Sequence, residues 1–279
     1  MDKRWVSWVC LALCVLPAMA AGVDPEGIPA DKSASAEEKG GGKPEVKALR
    51  FISDLDTPPF AFVDNYRNVG FEIDLGEALG KEMGRPVEWI KGTFNIPAFS
   101  STLAAGRADA VLSSMTMTEG REQYFIFTIP YFRTSLAVAT FRDVDWNSQA
   151  FRNGLTAAVK VGVLRRSTGE EWARKNLKAT RKTYTTPDRL ARALKNQEVE
   201  IILIDEPILR WTLANRGYKF KIVESGLDHQ DYAIGVSRSN QALAGGLNAA
   251  LEKLDASDVY DRIYEKWYSI SQDLPKIGK

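Results

Sequence analysis

Residues 113–121 are Ser113-Ser114-Met115-Thr116-Met117-Thr118-Glu119-Gly120-Arg121, and they directly follow an apolar segment at 108–112. These nine residues combine hydroxyl groups, backbone amides and one guanidinium. An arginine fork matches the two oxygens of a carboxylate, and nearby hydroxyl and N–H groups fill its remaining lone pairs. Such stretches are also ordinary turns, and single arginines are usually solvated. The segment favours recognition of a small anion or zwitterion, provided that other segments converge on it.

The chain before this stretch alternates between predicted strands and helices. A largely parallel α/β sheet follows from that alternation, and ligands of such sheets sit beyond the carboxyl ends of the strands. Two polar segments, 54–60 and 113–121, fall at such ends. The predicted elements are strand 49–53, helix 73–83, strand 87–90, helix 99–105 and strand 108–112, followed by extended segments at 125–130 and 136–141.

The second half of the chain repeats the α/β pattern, so the 235 or so residues after the leader favour two lobes near the usual domain size of ~100–150 residues. Thr186 followed by Pro187 is a good helix start. The predicted elements are strand 159–164, a helix from 168, a helix from 187, strand 200–204, helix 206–215, strands 218–223 and 232–236, and helices 241–254 and 257–268.

The first twenty residues have the form of a secretory signal. Lys3 and Arg4 precede an apolar run at 5–16, and Ala18-Met19-Ala20 is a small-residue cleavage site. The run is shorter than the ~20 residues that a membrane-spanning helix needs. Residues 21–45 are rich in Gly, Pro, Ala and charge, which predicts a disordered leader. We therefore expect a mature, exported protein that begins at Ala21.

Composition excludes several classes of function. Both cysteines, Cys10 and Cys14, lie in the signal, so the mature chain has no disulfide and no cysteine metal site. Lipid attachment at Cys14 is the alternative, which the bulky Leu13 disfavours.

Without residues 1–20 the chain carries 35 basic and 35 acidic residues, that is 37 less Lys3 and Arg4 and 36 less Asp2. The resulting net charge of zero favours neither nucleic acid nor an anionic membrane as a binding partner. With His229 as the sole histidine, we expect no metal, cofactor or catalytic triad.

Five motifs together carry a resemblance to a known family. In chain order they are residues 54–60, Gly70-Phe71-Glu72-Ile73-Asp74-Leu75, residues 106–111, residues 113–121, and Phe127-Thr128-Ile129-Pro130-Tyr131. In that order and spacing the chain resembles the polar amino-acid-binding proteins of bacterial ABC transporters, solute-binding family 3. The resemblance implies a periplasmic, monomeric protein that delivers a small amino acid to a membrane permease. It also implies a hinged two-lobe trap, with lobe one at 46–138 plus 236–279 and lobe two at 139–235.

The same resemblance implies roles for individual residues. Arg121 would clamp the ligand α-carboxylate, assisted by the amide and hydroxyl of Thr116. Asp205 and Ser114 would meet the α-ammonium, and Asp54 a polar or basic side chain. From lobe two, the turn at 161–168 would present helix N-terminal amides to the carboxylate. The full set of implied contacts is Asp54, Thr57, Phe60, Phe99, Ser113, Ser114, Thr116, Arg121, Leu164, Ser167, Thr168 and Asp205.

Several of these residues also have structural interpretations. Arg121 would serve as well in an ion pair, and Asp205 or the Ser167-Thr168 pair as a helix N-cap. Two positions depart from the family pattern. Thr57 replaces an aromatic residue that covers the ligand, which leaves either Phe60 or Phe99 as the stacking surface or a larger and more polar pocket. Arg166 stands where the family usually has glycine, and the Arg165-Arg166 pair either points into solvent or meets an acidic ligand side chain.

An enzymatic alternative comes from family members that dehydrate cyclohexadienyl substrates such as prephenate or arogenate. That reaction needs a buried carboxylic acid with a raised pKa to protonate the leaving hydroxyl. Asp205 is the candidate acid. Binding of an amino acid requires the opposite state, an ionised Asp205 paired with an ammonium group.

Overall fold

The computed structural model describes residues 46–141 and 155–268. Within these ranges the chain forms two five-stranded sheets, one small three-stranded sheet and eight helices, so the predicted α/β class is confirmed. The strands are β1 Leu49–Ser53, β2 Asp56–Thr57, β3 Ala61–Asp64, β4 Arg67–Val69, β5 Val87–Lys91, β6 Ala110–Val111, β7 Phe125–Phe127, β8 Phe132–Thr140, β9 Lys160–Leu164, β10 Thr180–Tyr184, β11 Ile201–Asp205, β12 Lys221–Tyr232 and β13 Gly235–Ser237. The helices are α1 Phe71–Glu82, α2 Ile96–Ala104, α3 Glu119–Glu122, α4 Thr168–Asn176, α5 Pro187–Lys195, α6 Glu206–Arg216, α7 Gln241–Ala256 and α8 Asp258–Tyr268.

The first sheet has the order β5-β1-β6-β13-β7. Strand β1 runs parallel to β5 and β6, while β13 runs antiparallel to β6 and β7. Side chains of β1 alternate between the two faces. Leu49 and Phe51 pack with α1, α7 and α8, whereas Ile52 packs on the side of α2. Covering both faces explains why this strand is apolar with little alternation.

The second sheet has the order β10-β9-β11-β8-β12. Strand β9 is parallel to β10 and β11, and β8 is antiparallel to β11 and β12. Alternate residues of β11 face opposite sides here as well. Ile201 and Leu203 pack toward α4, and Ile202 and Ile204 pack toward α5 and α6.

Two strands lead from one sheet to the other. Strand β8 begins at Phe132, shortly after β7 of the first sheet, and β12 ends at Tyr232, shortly before β13. These strands pair with each other along their length. The lobe boundaries predicted from the sequence lie close to these strands. The boundary at 138 falls inside β8, and the boundary at 235 falls at the start of β13.

A buried aromatic cluster lies where the crossing strands leave the first sheet. Phe60 is fully buried, and its ring makes edge contacts with Phe132 at 5.1 Å and Tyr232 at 5.2 Å between centroids. Phe71 and Tyr268 complete the cluster. Burying a ring of this size stabilises the fold by roughly 1.5–3 kcal/mol. The cluster fixes the start of β8 and the end of β12 against the first sheet.

The structure adds elements that the sequence pattern did not predict. Strand β10 and the sheet of β2, β3 and β4 are new, and β12 is longer than predicted. Helix α2 starts at Ile96, not at residue 99, because Asn95 Oδ1 accepts from Ala98 N at 3.3 Å and Pro97 lies in the first turn. No helix of the described ranges is long and apolar enough to cross a bilayer. The predicted signal peptide, the leader and residues 269–279 lie outside the described residues.

Candidate ligand-binding site

A cleft of about 510 Å³, including the part open to solvent, lies between the carboxyl ends of the two large sheets. Ten of the twelve residues predicted from sequence line it: Asp54, Thr57, Ser113, Ser114, Thr116, Arg121, Leu164, Ser167, Thr168 and Asp205.

Arg121 lies in the short helix α3, whose first turn is capped by the Thr118 hydroxyl. Only 6% of Arg121 is exposed, and its Nη1 donates to Thr116 O at 2.9 Å. Burial lowers the pKa of the guanidinium, an effect opposed by the more distant Glu171 and Asp205. In residues 46–141 and 155–268, no carboxylate forms an ion pair with Arg121. A buried cation without a counterion is costly, so the structural ion pair is not the explanation of this residue.

Helix α4 begins at the cleft, opposite α3. Ser167 is its N-cap: Ser167 Oγ accepts from Glu170 N at 3.1 Å and donates to Leu164 O at 2.8 Å. The Ser167 hydroxyl therefore has no proton left to donate to a ligand carboxylate. The amides of Thr168 and Gly169, at the first two helical positions, have no partner inside the helix. They make this end of the helix a favourable place for a negative charge.

Asp205 ends β11 and precedes α6, but its side chain makes no capping hydrogen bond. It accepts instead from the hydroxyl of Tyr232 at 2.7 Å. Burial raises the pKa of Asp205, while the Tyr232 hydrogen bond and the charge of Arg121 act against that rise. The carboxylate is thus held in the cleft wall by a crossing strand.

At the other end of the cleft, Asp54 follows β1. Its Oδ2 accepts from Thr57 Oγ1 at 2.9 Å and its Oδ1 from Asp56 N at 3.2 Å. Asp54 N donates to Ser113 Oγ at 3.1 Å, which joins the ends of β1 and β6. Burial raises the pKa of Asp54 to about 6, despite the two hydrogen bonds that favour its ionised form. Asp54 is therefore a carboxylate that a cation in the cleft would stabilise.

Ser114 is held by a buried glutamate behind the cleft. Its N and Oγ donate to Glu72 Oε1 at 2.6 and 3.1 Å, and the Tyr131 hydroxyl donates to the same oxygen. Burial raises the pKa of Glu72 to about 7. Glu72 Oε2 has no hydrogen-bond partner in the part of the chain that the structure describes. Since the Ser114 proton points to Glu72, its free lone pairs suit a ligand N–H donor.

The hydroxyls of Thr116 and Thr168 are also engaged. Both donate to Gln230 Oε1, at 2.9 and 2.8 Å. The Thr116 hydroxyl therefore has no proton left for a carboxylate, and its expected assistance to Arg121 is limited to the backbone amide.

The predicted stacking surface was wrong. Phe60 belongs to the aromatic cluster described above, and Phe99 is 1% exposed on α2, where it packs with Ile52 and Leu103. Neither lines the cleft. Phe94 does, and its ring centre lies 5.5 Å from the guanidinium carbon of Arg121. Phe94 follows β5 just as Asp54 follows β1, so the strand-end argument could have identified it.

Other lining residues were also missed by sequence reasoning. Pro187 and Ile208 belong to predicted helices that were given no part in the site, Thr185 precedes one of these helices, and Tyr232 was assigned only to a strand. Arg165 lies in the turn at 161–168, which was expected to contact the ligand through its backbone amides. The side chain of Arg166 is exposed. Its backbone has a φ of 63°, and its carbonyl accepts from Arg121 Nη2 at 3.5 Å. Glycine adopts this left-handed conformation at little steric cost.

The described ranges contain no group of three or more His, Cys, Asp or Glu side chains able to hold a metal ion. The polar groups of the cleft are instead two carboxylates, the buried guanidinium of Arg121, the exposed Arg165, several hydroxyls and the amides that begin α4. Such a set is complementary to a zwitterion.

Comparison with known proteins gives a consistent result. Residues 49–270 match the model of the bacterial extracellular solute-binding proteins, family 3. The putative ABC transporter arginine-binding protein 2 of Escherichia coli K12 is 30% identical over 234 residues, which cover 80% of this chain and 91% of that protein. An ancestral arginine-binding protein bound to arginine is 30% identical, with a TM-score of 0.72 over 79% of this chain and 98% of the other. A further structure, the ancestral amino acid-binding protein AncCDT-1, a precursor of cyclohexadienyl dehydratase, is 26% identical, with a TM-score of 0.72 over 79% and 95% of the two chains.

Proposed function

The chain belongs to the bacterial extracellular solute-binding proteins of family 3, and we propose that it captures an amino acid in the cleft and delivers it to the permease of an ABC transporter. The observation that carries this proposal is the buried guanidinium of Arg121, which has no carboxylate partner in the described chain. A bound α-carboxylate supplies the missing counterion. The protein acts outside the cytoplasmic membrane as a monomer, after removal of residues 1–20.

The two charged groups of an amino acid have separate partners in this proposal. The carboxylate lies between Arg121 and the amides that begin α4, and a guanidinium with its hydrogen bonds is the strongest available partner for it. The ammonium group lies near Asp205 and the lone pairs of Ser114. Because a nearby cation favours the ionised form of an acid, ligand binding lowers the raised pKa of Asp205.

We further propose that the ligand has a basic side chain. Asp54 lies in the same cleft as Arg121 and Asp205 and forms no ion pair within residues 46–141 and 155–268; the exposed Lys91, which acts on the pKa of Asp54 from a distance, pairs with Asp56. Relatives of this chain are named as binding proteins for arginine and, in Neisseria gonorrhoeae, probably for histidine. A cationic side chain beside Asp54 supplies the counterion that this buried carboxylate lacks.

Binding and delivery are coupled through the crossing strands. The ligand contacts residues after β1 and β6 of the first sheet, and residues of α4 and β11 of the second. A ligand that contacts both sides favours the closed arrangement over the open one, because only the closed state makes both sets of contacts. The permease distinguishes the closed form, so release into the membrane complex follows capture.

The direct test is a thermal-shift panel on mature protein that has been refolded from denaturant to remove any carried ligand. We expect L-arginine, L-lysine or L-histidine to raise the Tm by several degrees at millimolar concentration, and L-glutamate to have no effect. Stabilisation by acidic or apolar amino acids alone would contradict the basic side chain. No response to any amino acid would contradict amino-acid capture itself.

Arg121→Met tests the residue that carries the proposal. Methionine keeps the buried aliphatic stem and removes the charge, so the folded state should persist while affinity for the stabilising amino acid falls about 100-fold or more. Arg107→Met changes an exposed arginine outside the cleft and serves as the control. Equal affinities of the two variants in isothermal titration calorimetry would exclude Arg121 as the carboxylate partner.

Dehydratase activity is the second candidate, because the pKa of the buried Asp205 is raised, as a catalytic acid requires. Against it, Tyr232 donates to Asp205 and so favours its ionised form. The AncCDT-1 structure that this chain resembles is itself described as an amino acid-binding protein. Incubation of the refolded protein with prephenate and arogenate decides the matter, since either product is detected by chromatography. We expect no turnover.

A further inference from the structure

Gln230 joins the two sides of the cleft through a single oxygen. It lies on β12, one of the crossing strands, and only 6% of it is exposed. Its Oε1 accepts from Thr116 Oγ1, which follows β6 of the first sheet, and from Thr168 Oγ1, the first residue of α4 beside the second sheet. Both threonines line the cleft and are themselves largely buried. Gln230 stands behind them and does not line it.

The orientation of the Gln230 amide is set by Asp228, two residues earlier on the same strand. Gln230 Nε2 donates to Asp228 Oδ2 at 3.0 Å. A carboxylate accepts hydrogen bonds only, so the NH₂ group must face Asp228 and the carbonyl oxygen must face the threonines. An amide oxygen has two lone pairs, and the two hydroxyls occupy both.

The direction of the two threonine protons follows from this arrangement. A hydroxyl has one proton and two lone pairs. Thr116 and Thr168 each commit that proton to Gln230, so each hydroxyl presents only lone pairs to the cleft. They can accept from an N–H group of a ligand, but neither can donate to a carboxylate. The donors available to a ligand carboxylate are therefore the guanidinium of Arg121 and the backbone amides.

We propose that Gln230, oriented by Asp228, is a positioning residue that determines specificity by fixing both threonine hydroxyls as acceptors. The cleft thereby selects ligands that carry N–H donors between the two sides, and discriminates against carboxylic acids of the same shape that lack an amino group. The inference rests on the proposed amino-acid capture and deepens it. It assigns the selectivity to Gln230 and Asp228, which do not line the cleft themselves.

The binding test compares L-arginine with 5-guanidinopentanoate, which is arginine without its α-amino group. In Gln230→Met the side-chain length is kept and the acceptor is removed, so both hydroxyls are free to rotate. We expect the preference for L-arginine over the analogue to narrow by tenfold or more in calorimetry, chiefly because arginine binds less tightly. A merely structural role would weaken both ligands by the same factor, and that result would overturn the proposal. Gln123→Met, at an exposed position, should leave the preference unchanged.

A second measurement needs no ligand. In ligand-free protein, double-mutant cycles combine Gln230→Met with Thr116→Val and, separately, with Thr168→Val, and read the free energy of unfolding from urea titration. Shared hydrogen bonds predict non-additivity in both cycles. Additive effects in either cycle would overturn the double bridge. If L-arginine does not bind the wild-type protein while both cycles are non-additive, the proposed basic ligand is wrong, but the hydrogen bonds of Thr116 and Thr168 to Gln230 are supported.

Discussion

The hydroxyl of Tyr232 donates a 2.7 Å hydrogen bond to Oδ1 of Asp205, so that the end of crossing strand β12 holds a carboxylate at the end of β11. Without this bond, burial would raise the pKa of Asp205 further. The hydrogen bond therefore favours the ionised state that an ammonium group requires. It also ties an acid of the second sheet to the strand that leads to the first sheet.

Tyr232→Phe should weaken binding of amino acids at neutral pH by roughly 10- to 150-fold, the equivalent of about 1.5–3 kcal/mol for a hydrogen bond to a charged group. The ring and its packing remain, but the buried Asp205 carboxylate loses its donor, so the free energy of unfolding of the ligand-free protein should fall as well. Because the pKa of Asp205 rises in the variant, the loss should grow as pH falls. Calorimetry at pH 8 and pH 6 measures both effects. An unchanged affinity at both pH values, equal to that of the exposed-site control Tyr124→Phe, would remove Tyr232 from the binding machinery.

The stability of the ligand-free protein should rise as pH falls from about 8 toward 5. Burial raises the pKa of Glu72 to about 7 and that of Asp54 to about 6, above the usual carboxylate range near 4. Between these values the folded chain holds protons that the unfolded chain has released, so stability decreases as pH rises through the folded pKa values. Thermal unfolding at half-unit pH steps measures the slope.

Glu72→Gln separates the glutamate from the other titrating groups. The glutamine oxygen can still accept from Ser114 and Tyr131, and no charge is buried. We expect the variant to lose most of the slope between pH 6 and 8 and to equal or exceed the wild-type Tm at pH 8. A slope identical to that of the wild type would show that Glu72 is not the group that takes up the proton.

Arg166→Gly should stabilise the protein without changing affinity. A non-glycine residue in the left-handed region costs roughly 1–2 kcal/mol, part of which glycine returns through its greater freedom in the unfolded chain. A Tm increase of a few degrees is expected. The side chain is exposed, and Arg121 contacts only the backbone carbonyl, so binding should be unaffected. Arg165→Gly, at the neighbouring position with ordinary φ, should lower the Tm instead, and a similar gain in both variants would rule out backbone strain as the reason.

Phe94→Leu should weaken binding of a basic amino acid by about 5- to 10-fold. The ring lines the cleft and lies 5.5 Å from the guanidinium carbon of Arg121, and cation–π contacts are worth about 0.5–2 kcal/mol. Phe127→Leu removes a similar half-buried ring outside the cleft and is the matched control. If the two variants bind L-arginine equally, Phe94 has no part in the site.

Most of the fold was predictable because its signals are local. Apolar strands such as residues 201–205 and capped helices such as the one after Thr186 can be recognised within a few residues of sequence. Strand β10 was not recognised, since Thr-Arg-Lys-Thr-Tyr is largely exposed and carries no apolar pattern. The three-stranded sheet was not predicted either, because its strands have only two to four residues and are too short to show a pattern.

The cleft was predictable where it depends on strand ends, as for Asp54, Ser113 and Asp205. Gln230 was not, since it meets Thr116 across 114 residues of chain, where a β-bridge joins Thr116 to Tyr232 at the end of β12. Phe60 was assigned to the cleft from its motif, but the aromatic cluster holds it in the core. The direction in which a side chain points depends on how it packs in the fold, and a single sequence does not show that packing.

The edges of the two large sheets have a consequence for the protein at high concentration. Strand β5 carries exposed Glu88 and Lys91, β7 has three residues, β10 carries exposed Arg181 and Lys182, and β12 is broken by register shifts along its length. Charges, shortness and bulges are the devices by which proteins prevent an edge from adding a strand of another molecule. Both sheets are therefore protected against polymerisation at each of their ends, and molecules of this protein can crowd together without pairing edge to edge.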